Sequence, residues 1–370
     1  MKLEGIRVVD LSVFLPGPYL TKALADHGAE VIKIEAPGEG DPVRQLGVSD
    51  GPSTVYFRNL NRGKKSVVLN LKDAADRDAL LKLCDGADVF VESFRPGVMD
   101  RLGIGHAQLR TRNPRLVYCS ISAWGQNGPY RDRPSHDLGI EAVSGVLSVT
   151  LGRDGQPAIP GVPAADMIVA LQGLSGILMA LLRREKTGEG DYLDLSMHDA
   201  MMSASANILG PAMAEDRQQV AKHERTTGGS AFYQIYDTAD ARHITLSGQE
   251  MKFVRNLLGA LGRPELAELC ARGPGPHQQP VEQFLRDTFR TRSRAQWVEY
   301  LSQLDVCFGE LNTLPEALRD PHLIARGMVL TDELGRRHLN SPIRFEREPA
   351  RPDLHEPAMG EHGARILGQR

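Results

Sequence analysis

With 370 residues, 41% of them hydrophobic and 25% charged, the chain is long enough for more than one domain and for a core that needs no metal or disulfide staple. A net charge of −3 gives no global attraction for nucleic acid. The scattered cysteines (Cys84, Cys119, Cys270 and Cys307) form no CxxC pair or Cys/His cluster, which argues against a metal site and fits a reducing cytoplasm.

The opening "MKLEGIRVVDLS" has a strand pattern and lacks the apolar stretch of a signal peptide. "IRVVDLS" leads through a Gly-Pro turn into the helical "YLTKALADHGA". The strand "EVIKIEA" follows, then "KSVVLNL" with the helix "KDAADRDALLKLCDGA", then the strands "DVFVESF" and "RLVYCSISAWG". Short β-branched runs separated by amphipathic helices predict βαβ units and a mostly parallel sheet. The most apolar run, Met167 to Leu182, spans 16 residues and includes Gln172 and Ser175, so it reads as a buried helix and not as a membrane span. The strand "DYLDLSM" continues that layer.

Beyond about residue 200 the character changes. A polar, connector-like stretch precedes a hairpin-like pair, "AFYQIYDT" and "RHITLSG", and then helices such as "EMKFVRNLLGALG" and "RAQWVEYLSQL". The expected organisation is a large α/β domain over 1–200, a connector over 201–224, a smaller α+β domain over 225–325, and a C-terminal segment, 326–370, returning to the large domain.

No GxGxxG follows the first strand and no P-loop occurs, so neither a nicotinamide nor a nucleoside-triphosphate enzyme is indicated. "NLNRGKKS" gathers Arg62, Lys64 and Lys65 before a strand, either to pair with a phosphorylated ligand or as a solvated turn. "FRPGVMDRLG" places Arg95 between a strand end and a Pro-started helix, where open α/β sheets bind ligands. His136, in "RPSHDLG", sits in a loop before a helix. It is either a proton-transfer group or a helix-start residue, with Ser135 or Asp137 as the cap. Asp166, at the start of the apolar helix, is either a cap or a carboxylate with a shifted pKa. Glu250 opens a helix of the second domain, where an acid also suits the helix dipole.

Taken together, "RVVDLSVFLPGPYLTKALADHGAEVIKIEAPGEGDPVR", "NRGKKSVVLNLK", "DVFVESFRPGVMDRLG", "SAWGQNGPYRDRPSHD", "LLRREKTGEGDYLDLSMHDA" and "GGSAFYQIYDTAD" resemble the family III CoA-transferase (CaiB/BaiF) superfamily, which includes α-methylacyl-CoA racemases. The resemblance implies a Rossmann-like large domain plus a smaller α+β domain in an interlocked homodimer. It implies an acyl-CoA thioester as substrate, with Arg62, Lys64, Lys65 and Arg95 as CoA contacts. No cofactor beyond CoA, no metal, no nucleic acid and no membrane partner is expected. In the superfamily's transferases the aspartate matching Asp166 attacks the thioester and later carries CoA. In its racemases the same aspartate works with a histidine matching His136, oriented by a glutamate matching Glu250, to relocate the α-proton. All three positions are present, which favours the racemase over the transferase. Two departures are visible: "SGQEMKF" lacks the proline that usually follows the glutamate, and Ala165 replaces the glycine that usually precedes the aspartate.

Overall fold

The computed structural model describes residues 1–368. Six parallel strands, β1 (Arg7–Asp10), β2 (Glu30–Glu35), β3 (Lys65–Val68), β4 (Val89–Glu92), β5 (Val117–Ser122) and β6 (Tyr192–Ser196), form one sheet in the order β3-β2-β1-β4-β5-β6. This is the doubly wound Rossmann order, and it reverses between β1 and β4. Strands β1, β4 and β5 are buried almost throughout because helices cover the sheet. Val8, Val9, Val67, Val89, Phe90, Val117 and Cys119 are fully buried.

Local chemistry sets the helix starts. Pro16 opens the Pro16–Asp26 helix. Asp73 accepts from the backbone amides of Ala75 and Asp76 to start Ala74–Asp85, and Ser196 accepts from Asp199 to start Met197–Ala204. Between β5 and β6, Gly190 admits no side chain. A Cβ there would lie 2.1 Å from the Leu116 carbonyl oxygen.

Charged groups under the strand ends are buried and paired. Lys64 Nζ lies 3.0 Å from Asp10 Oδ2, and Lys33 Nζ lies 2.7 Å from Asp41 Oδ2. Burial alone would raise the pKa of Asp10, but Lys64 and Lys33 outweigh it and hold the carboxyl at about 2.

The chain divides into two compact units. The first comprises Met1–Ser144, Gly161–Ser205 and the segment from Pro321 onward; the second comprises Gly145–Pro160 and Ala206–Asp320. These boundaries differ from the sequence expectation. Residues 145–160, expected in the large domain, belong to the second unit, where Arg153 pairs with Asp237 at 2.7 Å and Ser148 accepts from Gln218 at 3.1 Å. Such contacts join residues far apart in sequence, and periodicity cannot reveal them. The expected connector 201–224 is not a separate piece either: the Met197–Ala204 helix belongs to the first unit and residues from Ala206 to the second. The C-terminal segment meets the first unit through Leu339 O, which accepts from Arg62 at 2.8 Å, and through His355 O, which accepts from the Gly63 amide at 2.8 Å.

The second unit is built on an antiparallel sheet of β7 (Gln234–Asp237), β8 (His243–Leu246) and β9 (Phe308–Glu310). Its core gathers Phe232, Tyr236, Leu257, Leu285, Phe289 and Trp297. The polar tips of its rings are satisfied: Tyr236 donates to Ala231 O at 2.6 Å and Trp297 to Phe289 O at 2.7 Å.

The long apolar helix runs over Ala164–Thr187, well beyond the 16-residue run, and is long and apolar enough to cross a membrane by length and composition. One face is buried through Val169, Ala170, Gly173, Ile177 and Leu181. The other is not: Leu171, Leu178, Met179 and Leu182 are exposed, so the expected buried helix is buried on one face only.

Candidate active site

In the first unit, a cleft of about 310 Å³ opens at the carboxyl ends of β1, β4 and β5. Val13 and Phe14 come from the turn after β1, and Ser93 to Pro96 from the turn after β4. The Arg131–His136 loop and Asp166 complete the wall. The position between the ends of β1 and β4 is the topological switch point, where open α/β sheets bind ligands.

Asp166 lies in the first turn of the Ala164–Thr187 helix, yet it does not cap it. The helix's free amides are taken by two other carboxylates. Asp137 Oδ1 accepts from Ala165 at 2.8 Å and from Asp166 at 3.2 Å, and Glu141 Oε1 accepts from Ala164 at 3.1 Å. The Asp166 side chain is therefore released from a capping role and lines the cleft. Burial, then the charges of Asp137 and Glu141, push its pKa from 3.8 up to about 7. That displacement is worth about 4 kcal/mol, more than the ~0.3–1 kcal/mol by which an exposed helix N-terminus favours an anion. Asp166 thus exchanges a proton near neutrality. Glu141 is also raised, by burial and by Asp137.

His136 occupies the N-cap position of the Asp137–Val143 helix, but its side chain makes no capping bond; only its carbonyl serves the helix, accepting from Gly139 and Ile140. Neither Ser135 nor Asp137 caps this helix: the Ser135 hydroxyl donates to the His136 carbonyl, and Asp137 reaches across to the start of the longer one. The exposed His136 ring lines the same cleft as Asp166 and meets Phe14 edge-on, with centroids 6.0 Å apart. Phe14 itself has φ of +62°, a conformation that costs a non-glycine residue about 1–3 kcal/mol. Strained backbone thus stands at the cleft, directly against His136.

The remaining expected site residues divide. Arg95 is exposed and lines the cleft. Arg62 and Lys64 are instead buried and committed. Arg62 pairs with Asp26 at 2.6 Å, and Lys64 donates to Asp10, Pro18 O, Thr21 and Asn61. Neither presents a donor to a ligand, because a buried cation is stable only with its partners satisfied. Lys65 pairs with Glu30 at the start of β2, away from the carboxyl ends of the strands. "NRGKKS" is therefore a structural ion-pair motif. Glu250 stands at the N-cap of the Met251–Ala260 helix in the second unit, exposed and without a side-chain cap bond.

Sequence reasoning missed Glu141 and placed Asp137 only as a cap of its own helix. Both are visible as acids on one short helix, but their partners lie more than 20 residues away. It also passed over Arg131 and Arg133, although both stand in the quoted "RDRPSHD". A second, mostly apolar pocket of about 400 Å³ lies at the ends of β1 to β4. Leu11, Ile34, Leu69, Leu71 and Phe94 line it, with Lys72 and Arg101 among its polar residues, and it shares Val13 and Phe94 with the cleft.

A carboxylate exchanging its proton near neutrality, in the switch-point crevice of a parallel sheet, marks an α/β enzyme with carboxylate-centred chemistry. The chain belongs to CoA-transferase family III, whose family model matches residues 3–363. It is 33% identical over 380 residues to an acetyl-CoA:oxalate CoA-transferase of Acetobacter aceti, covering 98% of this chain and 94% of that one. It is 32% identical over 372 residues to the α-methylacyl-CoA racemase of Homo sapiens, covering 99% and 93%. Among solved structures, a CaiB/BaiF family protein from Brucella suis superposes with a TM-score of 0.85 at 31% identity, covering 98% of both chains. The protein is accordingly an enzyme acting on acyl-CoA.

Proposed function

We propose that the protein is an acyl-CoA racemase or epimerase acting at a carbon α to the thioester. The observation that carries this reading is that His136 and Asp166 line one cleft and neither side chain is spent on a helix cap. One of the pair takes the α-proton, the electrons move into the thioester carbonyl as an enolate, and the other returns a proton to the opposite face. A carboxyl with a pKa of about 7 suits either half of that exchange at neutral pH. The resemblance gives Glu250 the task of orienting His136.

CoA transfer between carboxylic acids is the second reading, favoured by relatives such as the Acetobacter aceti enzyme. In it Asp166 attacks the thioester carbonyl and expels CoA thiolate, leaving an acyl anhydride. The thiolate then attacks the aspartyl carbonyl, releasing the first acid and storing CoA on Asp166 for the next.

The apolar pocket beside the cleft suits the adenine end of CoA, with Arg95 and Arg101 as phosphate partners. The exposed Leu171, Leu178, Met179 and Leu182 on one helix support an apolar interface with a second copy of the chain. Four free cysteines support a reducing, cytoplasmic setting.

The test uses a single-enantiomer 2-methylacyl-CoA, with and without a free acid acceptor. Loss of optical purity without acceptor supports the racemase. Retention of configuration, with CoA passing to the acceptor, overturns it in favour of transfer.

A further inference from the structure

We propose that Phe14 is the positioning residue of His136: a strained turn, pinned by Ser93 and the buried Lys33–Asp41 pair, holds its ring against the imidazole. The proposal rests on the racemase reading, in which His136 handles the α-proton.

The need for such a residue shows at His136 itself. Its ring is exposed, and among the described residues no hydrogen bond or ion pair reaches it. An imidazole free to turn about its two side-chain bonds spends little time aligned with a reacting carbon. Glu250, expected to orient the histidine, belongs to the second unit. Within the first unit the ring that His136 meets is Phe14, edge-on with centroids 6.0 Å apart, a separation and attitude at which aromatic pairs attract.

Phe14 stands there against its own backbone preference. Its φ of +62° is a left-handed conformation that glycine adopts freely and a bulky aromatic residue seldom does. Core packing does not account for the side chain either, because Phe14 is exposed. The chain thus keeps, in a glycine-like conformation, an aromatic ring that the core does not use and that meets the histidine.

Such a conformation persists only where the surroundings over-determine it, and three successive residues are pinned from outside the turn. Ser12 O accepts from Lys33 Nζ at 2.9 Å, the Val13 amide donates to Ser93 Oγ at 3.1 Å, and the Phe14 amide donates to Asp41 Oδ1 at a longer 3.4 Å. Lys33 and Asp41 are buried and pair with each other at 2.7 Å. Gly17 closes the turn on itself, since a Cβ there would lie 2.2 Å from Ser12 Oγ. The buried charges beneath the sheet's carboxyl end therefore carry the turn on which Phe14 stands.

Three substitutions test this. Phe14→Gly removes the ring and the backbone strain together, so the melting temperature should not fall. With a single-enantiomer 2-methylacyl-CoA in deuterated water, its kcat for α-proton exchange should drop by about 10- to 100-fold, the scale of a misplaced proton-transfer group, while KM changes by less than about 3-fold. Phe14→Tyr, which keeps a ring edge, should restore most of the rate; Phe14→Leu, which keeps only apolar bulk, should not. In protein carrying histidine labelled with carbon-13 at Cε1, the His136 signal is identified by its loss in His136→Ala. That signal should move in Phe14→Gly and stay in place in Phe14→Tyr. A wild-type kcat in Phe14→Gly, a loss confined to KM, or an unmoved His136 signal would overturn the proposal. A wild type that exchanges no α-proton sinks the racemase reading instead, and the histidine signal then decides alone whether Phe14 holds the ring.

Discussion

Replacing Asp166 by asparagine tests the physical state of the cleft without relying on turnover. In the folded protein the carboxyl titrates at about 7, against 3.8 for the free side chain. Its ionised form is therefore disfavoured by folding. The cost is absent below about pH 4, grows between pH 4 and 7, and is fully present above 7. At pH 8 the displacement amounts to about 4 kcal/mol, and water entering the cleft trims it, so Asp166→Asn should stabilise the first unit by about 2–4 kcal/mol. At pH 5 the wild-type group is already largely protonated and the gain falls to about 1–2 kcal/mol. Urea unfolding followed by Trp124, in a Trp297→Phe background, reports on the first unit alone. A stability gain that is the same at pH 5 and pH 8, or a variant less stable than wild type at pH 8, would refute the assignment of a desolvated carboxyl.

Three substitutions probe the framework around it. Lys64→Met leaves Asp10 buried without its partner and should cost about 3–5 kcal/mol by denaturant unfolding, part of which the added Asp10→Asn change should restore. Asp137→Ala strips the acceptor from the amides of Ala165 and Asp166 and should cost about 1–3 kcal/mol together with most of the activity; Asp137→Asn, which keeps an acceptor, should recover stability first. Gly190→Ala drives a Cβ into the Leu116 carbonyl and should lower stability by about 2–3 kcal/mol, with a melting temperature as the readout.

The sheet was legible because each βαβ unit announces itself locally: an apolar strand, a turn, an amphipathic helix and a cap. Asp166 and His136 were legible as chemistry-bearing residues, but sequence left each with a cheap structural alternative. The structure shows which groups do the capping. Asp137 and Glu141 serve the helix that Asp166 was expected to cap, and His136 contributes only its carbonyl. The cationic motif failed in the opposite direction. A run of Arg and Lys has the same appearance whether it faces solvent or is buried, and the partners that bury it, Asp10 and Asp26, lie 54 and 36 residues earlier. The excursion of residues 145–160 into the second unit was invisible for the same reason, since the residues it pairs with are remote in sequence.

The central claim is that His136 and Asp166 together relocate an α-proton. It is tested most directly by proton NMR of a single-enantiomer 2-methylacyl-CoA in deuterated water, with no acceptor acid present. Wild type should exchange the α-proton for deuterium. His136→Ala and Asp166→Asn should each slow that exchange by at least about 100-fold, the scale of a lost general acid or base. Undiminished exchange in either variant would contradict the account, as would a wild-type enzyme that leaves the α-proton in place while passing CoA to an added acid.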